Sequence, residues 1–342
     1  MNLCKLILFI ILLQSQFYSI EGASLKLVKE IGSDDENYIF SRILGAALSK
    51  KKDIYVLDCR ENFLARYDWN GKFIKKIGQT GQGPGDFNIP RDLNVIDEKL
   101  FFWDTGNRRI AEVDLELKEL KYHKMYDEVA FTGNFFITGK NKCIGNAFYA
   151  TENMAEYRAI KIFDFNTQWS KIFFEHLPFP NNKKVTPFLL FYSMPIFGID
   201  RENKKIVISF MYPNNPIDFY VYSIEGECRE TFSYTFDENY RPPDHLLEAK
   251  KPSKKHTKIM VTSIFVYKGH YLVLVCKTKM KDYYDFESER HFLVFDKESK
   301  ELKSKFPAPN YLEAFSLSDD GYLLGTRNFE DIAKLCIYKL EI

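Results

Sequence analysis

Three residues in one short segment have the chemistry for catalysis or anion binding: an acid at Asp104, an amide at Asn107 and a guanidinium at Arg109. A carboxylate can act as a general base, and arginine can hold a carboxylate or a phosphate. The segment directly follows the apolar run 100–103, which indicates a turn after a strand. In such a turn, Asp and Asn bond to nearby backbone, and Arg reaches a neighbouring carbonyl or carboxylate. We favour this structural interpretation.

Catalytic patterns are otherwise scarce in the sequence. The glycine-rich segment 78–85 lacks the lysine and the serine or threonine of a phosphate-binding loop, and it leads into a strand pattern, so it indicates a linker. The six histidines show no spacing typical of a metal site, and no Gly-x-Ser-x-Gly motif occurs. The sequence therefore assigns no catalytic residue, no metal ligand and no cofactor.

Four ionisable residues, Arg42, Arg91, Asp92 and Glu313, stand where the inner strands of the fold predicted below begin. Their mixture of cations and acids suits an anionic ligand or internal ion pairs better than a cage of oxygen ligands around a metal ion. We interpret them as candidate ligand-binding residues.

A repeat must position these residues. Asp58 follows an apolar run, and Asp104 follows a similar run 46 residues later. The same shift carries Asp68 onto Asp114, and residues 31–32 onto residues 77–78. A period in the forties built from four short strands is typical of a β-propeller blade, which buries its faces only by stacking against neighbours.

The strand pattern predicts one all-β domain over residues 23–342, a six-bladed β-propeller. Six segments match the third strand of a blade, and the last blade ends without a fourth strand. Segment 25–31 aligns with the fourth strand of the first blade. We therefore predict that this N-terminal strand pairs beside residues 335–340 and completes the last blade.

Residues 1–22 have the pattern of a signal peptide, with Lys5 before the apolar core 6–13. That core is shorter than the roughly 20 residues of a transmembrane helix, so we expect an exported protein, periplasmic or secreted, with no membrane span after cleavage. An uncleaved anchor is the alternative. The formal net charge of +1 argues against nucleic acid as a partner. We expect a monomer.

Loop lengths indicate which face of the disc binds a partner. The turns between strands A and B and between strands C and D are short, whereas connections on the opposite face carry insertions over blades three to five. Aromatic side chains there favour a protein, peptide or glycan partner. The insertions are 178–193, 211–216, 237–258 and 278–290, and the candidate binding tyrosines are Tyr192, Tyr212, Tyr283 and Tyr284.

The segment 103–114 resembles an NHL repeat, with an Asp, a short Gly/Asn turn, an Arg and an apolar strand, and segment 77–87 is similar to the linker between NHL blades. The resemblance covers residues 54–114 and places the chain among exported six-bladed propellers of the NHL and TolB-like kind. Because the sequence lacks catalytic motifs, we expect a non-enzymatic binding or scaffold protein of the cell envelope or exterior. As an alternative, lactonase-like relatives imply a metal-dependent hydrolase or lyase with an axial divalent cation such as Ca²⁺.

Overall fold

The protein is all-β, with 24 strands and a single short 3₁₀ turn at Thr105–Asn107 among the residues that its computed structural model describes. Those residues are 23–32, 40–125, 130–139, 141–148, 158–167, 170–174, 194–211, 216–236, 257–280, 286–327 and 333–342.

The strands form six antiparallel sheets of four strands each, which confirms the predicted six-bladed propeller. The first strand of the chain is β1 (Ser24–Ile31). Blade 1 contains β2 (Ile43–Leu48), β3 (Ile54–Asp58), β4 (Phe63–Tyr67) and β5 (Phe73–Ile77). Blade 2 contains β6 (Pro90–Ile96), β7 (Lys99–Asp104), β8 (Arg109–Asp114) and β9 (Leu120–Lys124). Blade 3 contains β10 (Ala130–Gly139), β11 (Lys142–Phe148), β12 (Arg158–Asp164) and β13 (Ser170–Phe174).

The remaining blades follow the same plan. Blade 4 contains β14 (Pro195–Asp200), β15 (Lys205–Phe210), β16 (Ile217–Ser223) and β17 (Cys228–Tyr234). Blade 5 contains β18 (Thr257–Tyr267), β19 (His270–Met280), β20 (Phe286–Asp296) and β21 (Leu302–Pro307). Blade 6 contains β22 (Leu312–Leu317), β23 (Tyr322–Arg327), β24 (Leu335–Glu341) and β1.

The two ends of the described chain close the ring, as the sequence predicts. Strand β1 pairs antiparallel with β24, from Ser24 opposite Glu341 to Ile31 opposite Leu335. Ile31 is buried in a cluster with Phe40 and Leu335, so closure joins backbone pairing to apolar burial. The C-terminal strand consequently has a partner on both sides.

The hydrophobic core consists of separate clusters at the junctions between neighbouring blades. Six buried clusters occur among the described residues, and each joins two adjacent blades around the ring. Between blades 1 and 2, for example, Tyr55 and Leu57 meet Leu100 and Phe102. A blade on its own would leave these side chains in water, which explains why the sequence must repeat.

The repeated Asp at the end of the third strand of a blade caps the following turn. The Asp114 carboxylate accepts backbone N–H groups of Lys118 at 2.6 Å and Glu119 at 2.7 Å. Asp164 and Asp296 also cap their turns in blades 3 and 5, but they accept the backbone N–H groups two and three residues ahead. This local chemistry produces the period visible in the sequence.

Blade 5 differs from the expected loop pattern. The predicted insertion 278–290 is partly strand, because β19 continues to Met280 and β20 begins at Phe286, with Thr278 opposite Ser288. The hairpin extends the sheet instead of forming a loop. Insertion 178–193 lies outside the described residues, as does most of 211–216 and of 237–258.

Candidate functional site

The first strand of every blade borders the propeller axis: β2, β6, β10, β14, β18 and β22. Each of these inner strands contacts the next one around a closed ring. Where they end, the ring encloses a cavity of about 620 Å³, which we call the axial cavity. Its volume lies within the roughly 300–1,000 Å³ of ordinary small-molecule pockets. The axial cavity lies on the face formed by the turns between the first and second strands.

The wall of the axial cavity is apolar. It contains Phe136 from blade 3, Ile199 from blade 4, Phe265 and Val266 from blade 5 and Phe315 from blade 6. Each side chain is half-buried and packs against the core between two blades. An apolar ligand would remove the exposed part of this surface from water, and that burial would favour binding.

Charged side chains surround the mouth of the axial cavity. The carboxylate of Asp320 is already engaged, because Ser318 Oγ donates to Oδ1 at 2.6 Å and Lys52 Nζ lies 3.9 Å from Oδ2. The mouth thus combines carboxylates and cations above an apolar wall. The charged residues that line it, all exposed, are Lys50, Asp97, Glu98, Arg201, Asp319 and Asp320.

Arg201 is exposed at the mouth, but one of its donors is bonded to the protein. Its Nη1 donates to the carbonyl oxygen of Ile137 in the neighbouring blade at 3.0 Å. Although the residue is exposed overall, protein atoms around the guanidinium partly remove it from water and lower the pKa of Arg201, and the negative charges of Asp319 and Asp97 oppose that shift. The ordinary pKa of arginine lies far above neutral pH, so the guanidinium stays charged there.

At the opposite end of the inner strands, Asp92 forms an unusual carboxylate site. Arg91 Nε lies 3.3 Å from Asp92 Oδ2, and the Asp92 backbone has φ of 57°. Burial raises the pKa of Asp92 to about 6, Arg91 and the Phe135 backbone amide lower it, and Glu313 raises it further. Asp92 therefore becomes ionised at a higher pH in the folded protein than in the unfolded chain.

We expect Asp92→Asn to stabilise the protein at pH 7 by up to about 3 kcal/mol. Because the pKa of Asp92 is higher in the folded state, ionisation costs stability as the pH rises from about 4 to 6. Asparagine removes that cost and tolerates a positive φ. The gain should therefore be complete above pH 6 and vanish below pH 4. Urea unfolding of both proteins across this pH range measures it.

Asp97→Asn is the matched control for this prediction, because Asp97 follows the same strand and also has a positive φ, of 49°, but is exposed. It should not reproduce the pH-dependent gain. An equal stability difference for Asp92→Asn at pH 3.5 and at pH 7 would contradict the assignment.

The structure places the predicted ionisable residues where the sequence analysis expected them. Arg42 directly precedes β2, Arg91 and Asp92 lie in β6, and Glu313 lies in β22. Arg91, Asp92 and Glu313 share one electrostatic environment. Their role in ligand binding remains a prediction. The four candidate tyrosines, Tyr192, Tyr212, Tyr283 and Tyr284, lie outside the described residues.

The Asp104 segment is structural, as predicted. Asp104 Oδ2 accepts bonds from Asn107 Nδ2 and Arg109 Nε, both at 2.8 Å, and Oδ1 accepts the backbone N–H of Asn88 at 2.7 Å. Arg109 Nη2 also donates to the carbonyl oxygen of Asp86 at 2.6 Å. These bonds join the turn to the linker between blades. Over the chain segments that can be described, no group of three or more His, Cys, Asp or Glu side chains could hold a metal ion.

The axial cavity and its mouth were not predicted from the sequence. Lys50, Asp97 and Asp319 each follow the inner strand of a different blade, and this shared position was an available signal. Arg201 occupies the same position in blade 4. These turns are short, whereas the long insertions that predict a binding surface lie on the opposite face.

Comparison with solved structures supports the same architecture. A DUF4221 protein from Bacteroides vulgatus ATCC 8482 is 11% identical with a TM-score of 0.61, over 93% of this chain and 98% of that one. A protein of Bacteroides fragilis NCTC 9343 that is named for its expected export is 14% identical with a TM-score of 0.56, over 94% and 96%. A luciferin-regenerating enzyme is 9% identical with a TM-score of 0.52, over 93% and 95%. At such identities the similarity shows the fold alone.

Family comparison identifies the chain more closely. No curated protein matches it. Within the described ranges, no helix combines the length and the apolar character that crossing a bilayer requires. The family model named DUF5128, described as a 6-bladed beta-propeller, matches residues 34–317. With its six sheets and this match over most of its length, the chain belongs to the DUF5128 family of six-bladed β-propellers.

Proposed function

We propose that this propeller is an exported, non-enzymatic binding protein that holds a small ligand in its axial cavity. The observation that carries the proposal is a cavity of about 620 Å³ with an apolar wall and a charged mouth. Ligand sites usually combine such a wall with a few polar groups that orient the ligand. Most of the connections on the loop-rich face lie outside the described residues, so the proposal rests on the axial cavity.

Export is part of the proposal. The apolar core 6–13 behind Lys5 supports it, as does the name of the Bacteroides fragilis protein with the same fold. The NHL-like pattern of residues 54–114 also resembles exported propellers. N-terminal sequencing of the protein recovered outside the cytoplasm should begin at Ala23. Recovery of a chain that still begins at Met1 would contradict cleavage.

Binding in the axial cavity can be tested with N-phenyl-1-naphthylamine, a neutral dye whose fluorescence rises in apolar surroundings. We expect one dye molecule per chain. Val95 lines the cavity and is half-buried, so Val95→Trp should fill the space and weaken dye binding at least about tenfold. Leu317→Trp fills the cavity from blade 6 and serves as a second variant if the first does not fold.

The matched control is Ile74→Trp, which also replaces an aliphatic side chain by tryptophan but lies away from the propeller axis. Ile74 is 45% exposed on the outer strand β5. Dye binding should be unchanged in this variant. Unchanged dye binding in folded Val95→Trp and Leu317→Trp proteins would contradict a ligand site in the axial cavity.

A further inference from the structure

Arg201 has hydrogen-bonding capacity that the described protein does not use. A guanidinium carries five N–H donors, and the structure gives one of them a partner, the carbonyl oxygen of Ile137. Asp319 and Asp97 influence Arg201 electrostatically, but neither forms an ion pair with it among the described residues. Arg201 also lines the axial cavity, whose volume of about 620 Å³ has room for a ligand carboxylate. Arginine binds a carboxylate through two parallel hydrogen bonds, which are strong and directional.

The acids beside Arg201 decide what kind of carboxylate fits. Asp97 and Asp319 come from blades 2 and 6, both line the same mouth, and both are exposed. A simple anion bound to Arg201 would be repelled by these two charges. A ligand that carries an ammonium group as well as a carboxylate would place one positive charge near the acids. The mouth therefore suits a zwitterion better than a simple anion.

The apolar wall of the cavity indicates which groups lie between the two charged ends of the ligand. Phe136, Phe265 and Phe315 present aromatic surface below the charged mouth. Aromatic side chains bury large areas and stack with other rings, so they favour aliphatic or aromatic groups on the ligand. A cavity of about 620 Å³ has room for several such groups. A single amino acid would leave much of the wall uncovered.

We propose that the axial cavity binds short peptides with apolar side chains and free termini, with Arg201 holding the terminal carboxylate and Asp97 and Asp319 facing the terminal ammonium. This inference rests on the proposed function, because it names the ligand class of the same cavity. Burial of the apolar side chains supplies affinity, and the charged groups at the mouth favour a peptide with both termini free over the same peptide with a blocked end.

The test uses the tripeptide Phe-Val-Phe in four forms: free, N-acetylated, C-amidated and blocked at both ends. Isothermal titration calorimetry with the exported protein should show the free form binding tightest. Blocking either end should weaken binding at least about tenfold, as expected for the loss of a charge-assisted hydrogen bond. Free phenylalanine should bind more weakly than the tripeptide.

Protein variants assign each end of the peptide to its partner. Arg201→Gln should lower the affinity for the free peptide to about the affinity that the unchanged protein has for the amidated peptide. In this variant, amidation of the peptide should then change the affinity very little. The double variant Asp97→Asn, Asp319→Asn should lower the affinity for the free peptide to about that of the acetylated one, and N-acetylation should then change the affinity very little. Glu298→Gln is the matched control, since Glu298 is exposed in a turn on the same face but does not line the cavity. It should leave all four affinities unchanged.

The outcomes separate this inference from the function on which it rests. Equal affinities for all four peptides would overturn the zwitterion requirement while leaving a ligand site in place. Phenylalanine binding as tightly as the tripeptide would overturn the peptide assignment. Dye binding without any peptide binding would also overturn it. If neither dye nor peptide binds, the axial cavity is not a ligand site and the proposed function fails.

Discussion

Replacing Asp58 by alanine is expected to lower the free energy of unfolding by about 4 kcal/mol. Asp58 is fully buried, and its carboxylate accepts backbone N–H groups of Ser41 at 2.6 Å, Arg60 at 2.9 Å and Glu61 at 3.0 Å, with Arg42 at 3.3 Å. Alanine would leave these donors without their acceptor, and buried unpaired donors are costly. Denaturant unfolding at neutral pH measures the loss.

Two further variants make this result interpretable. Asp68→Ala removes another repeated aspartate, but its carboxylate accepts one exposed N–H bond, from Lys72 at 2.9 Å, so the loss should stay below about 1 kcal/mol. Asp58→Asn keeps one side-chain oxygen, so its loss of unfolding free energy should lie between those of Asp58→Ala and Asp68→Ala. Equal unfolding midpoints for Asp58→Ala and Asp68→Ala would contradict the role assigned to Asp58.

Removing strand β1 is expected to have the largest effect on stability. A chain that starts at Gly32 loses the strand that pairs with β24 and the buried side chain of Ile31. Most of the roughly 5–15 kcal/mol that stabilises a folded domain should be lost, because blade 6 would expose an unpaired edge. Denaturant unfolding and size-exclusion chromatography, compared with a chain that starts at Ala23, measure the loss and the resulting aggregation.

Adding the missing strand as a separate peptide provides the control. A synthetic peptide covering residues 23–31 should restore folded, monomeric protein when supplied in excess, because binding to the folded state shifts the equilibrium. A peptide with Ile31→Asp should fail, since it would bury a charge in the cluster of Phe40 and Leu335. Normal stability of the shortened chain would show that β1 does not close the ring.

The repeat could be predicted from the sequence because its chemistry is local. Asp114 bonds to the N–H groups four and five residues ahead, so the same residue type recurs wherever the same turn is built. The Asn70–Gly71 turn is similar, since Gly71 has φ of 86° and its N–H bonds to the carbonyl of Asp68 at 3.0 Å. Spacing in the chain therefore reports directly on the spacing of strands.

The candidate site could not be predicted in the same way. Asp97, Arg201 and Asp319 are separated by more than one blade along the chain, and they lie around one cavity because the ring closes. A sequence shows that each follows an inner strand, but not that the protein around Arg201 lowers its pKa. The long insertions predicted a binding surface on the opposite face of the disc instead.

By itself, the sequence determined the blade plan, the number of blades and the pairing of residues 25–31 with the C-terminal strand. These features depend on alternating strands and turn residues that lie close together in the chain. Only the tertiary structure decided where charge and apolar surface meet, namely around Arg201 and at Asp92. Burial and electrostatic interaction depend on distances in space, and six inner strands from six separate parts of the chain set those distances.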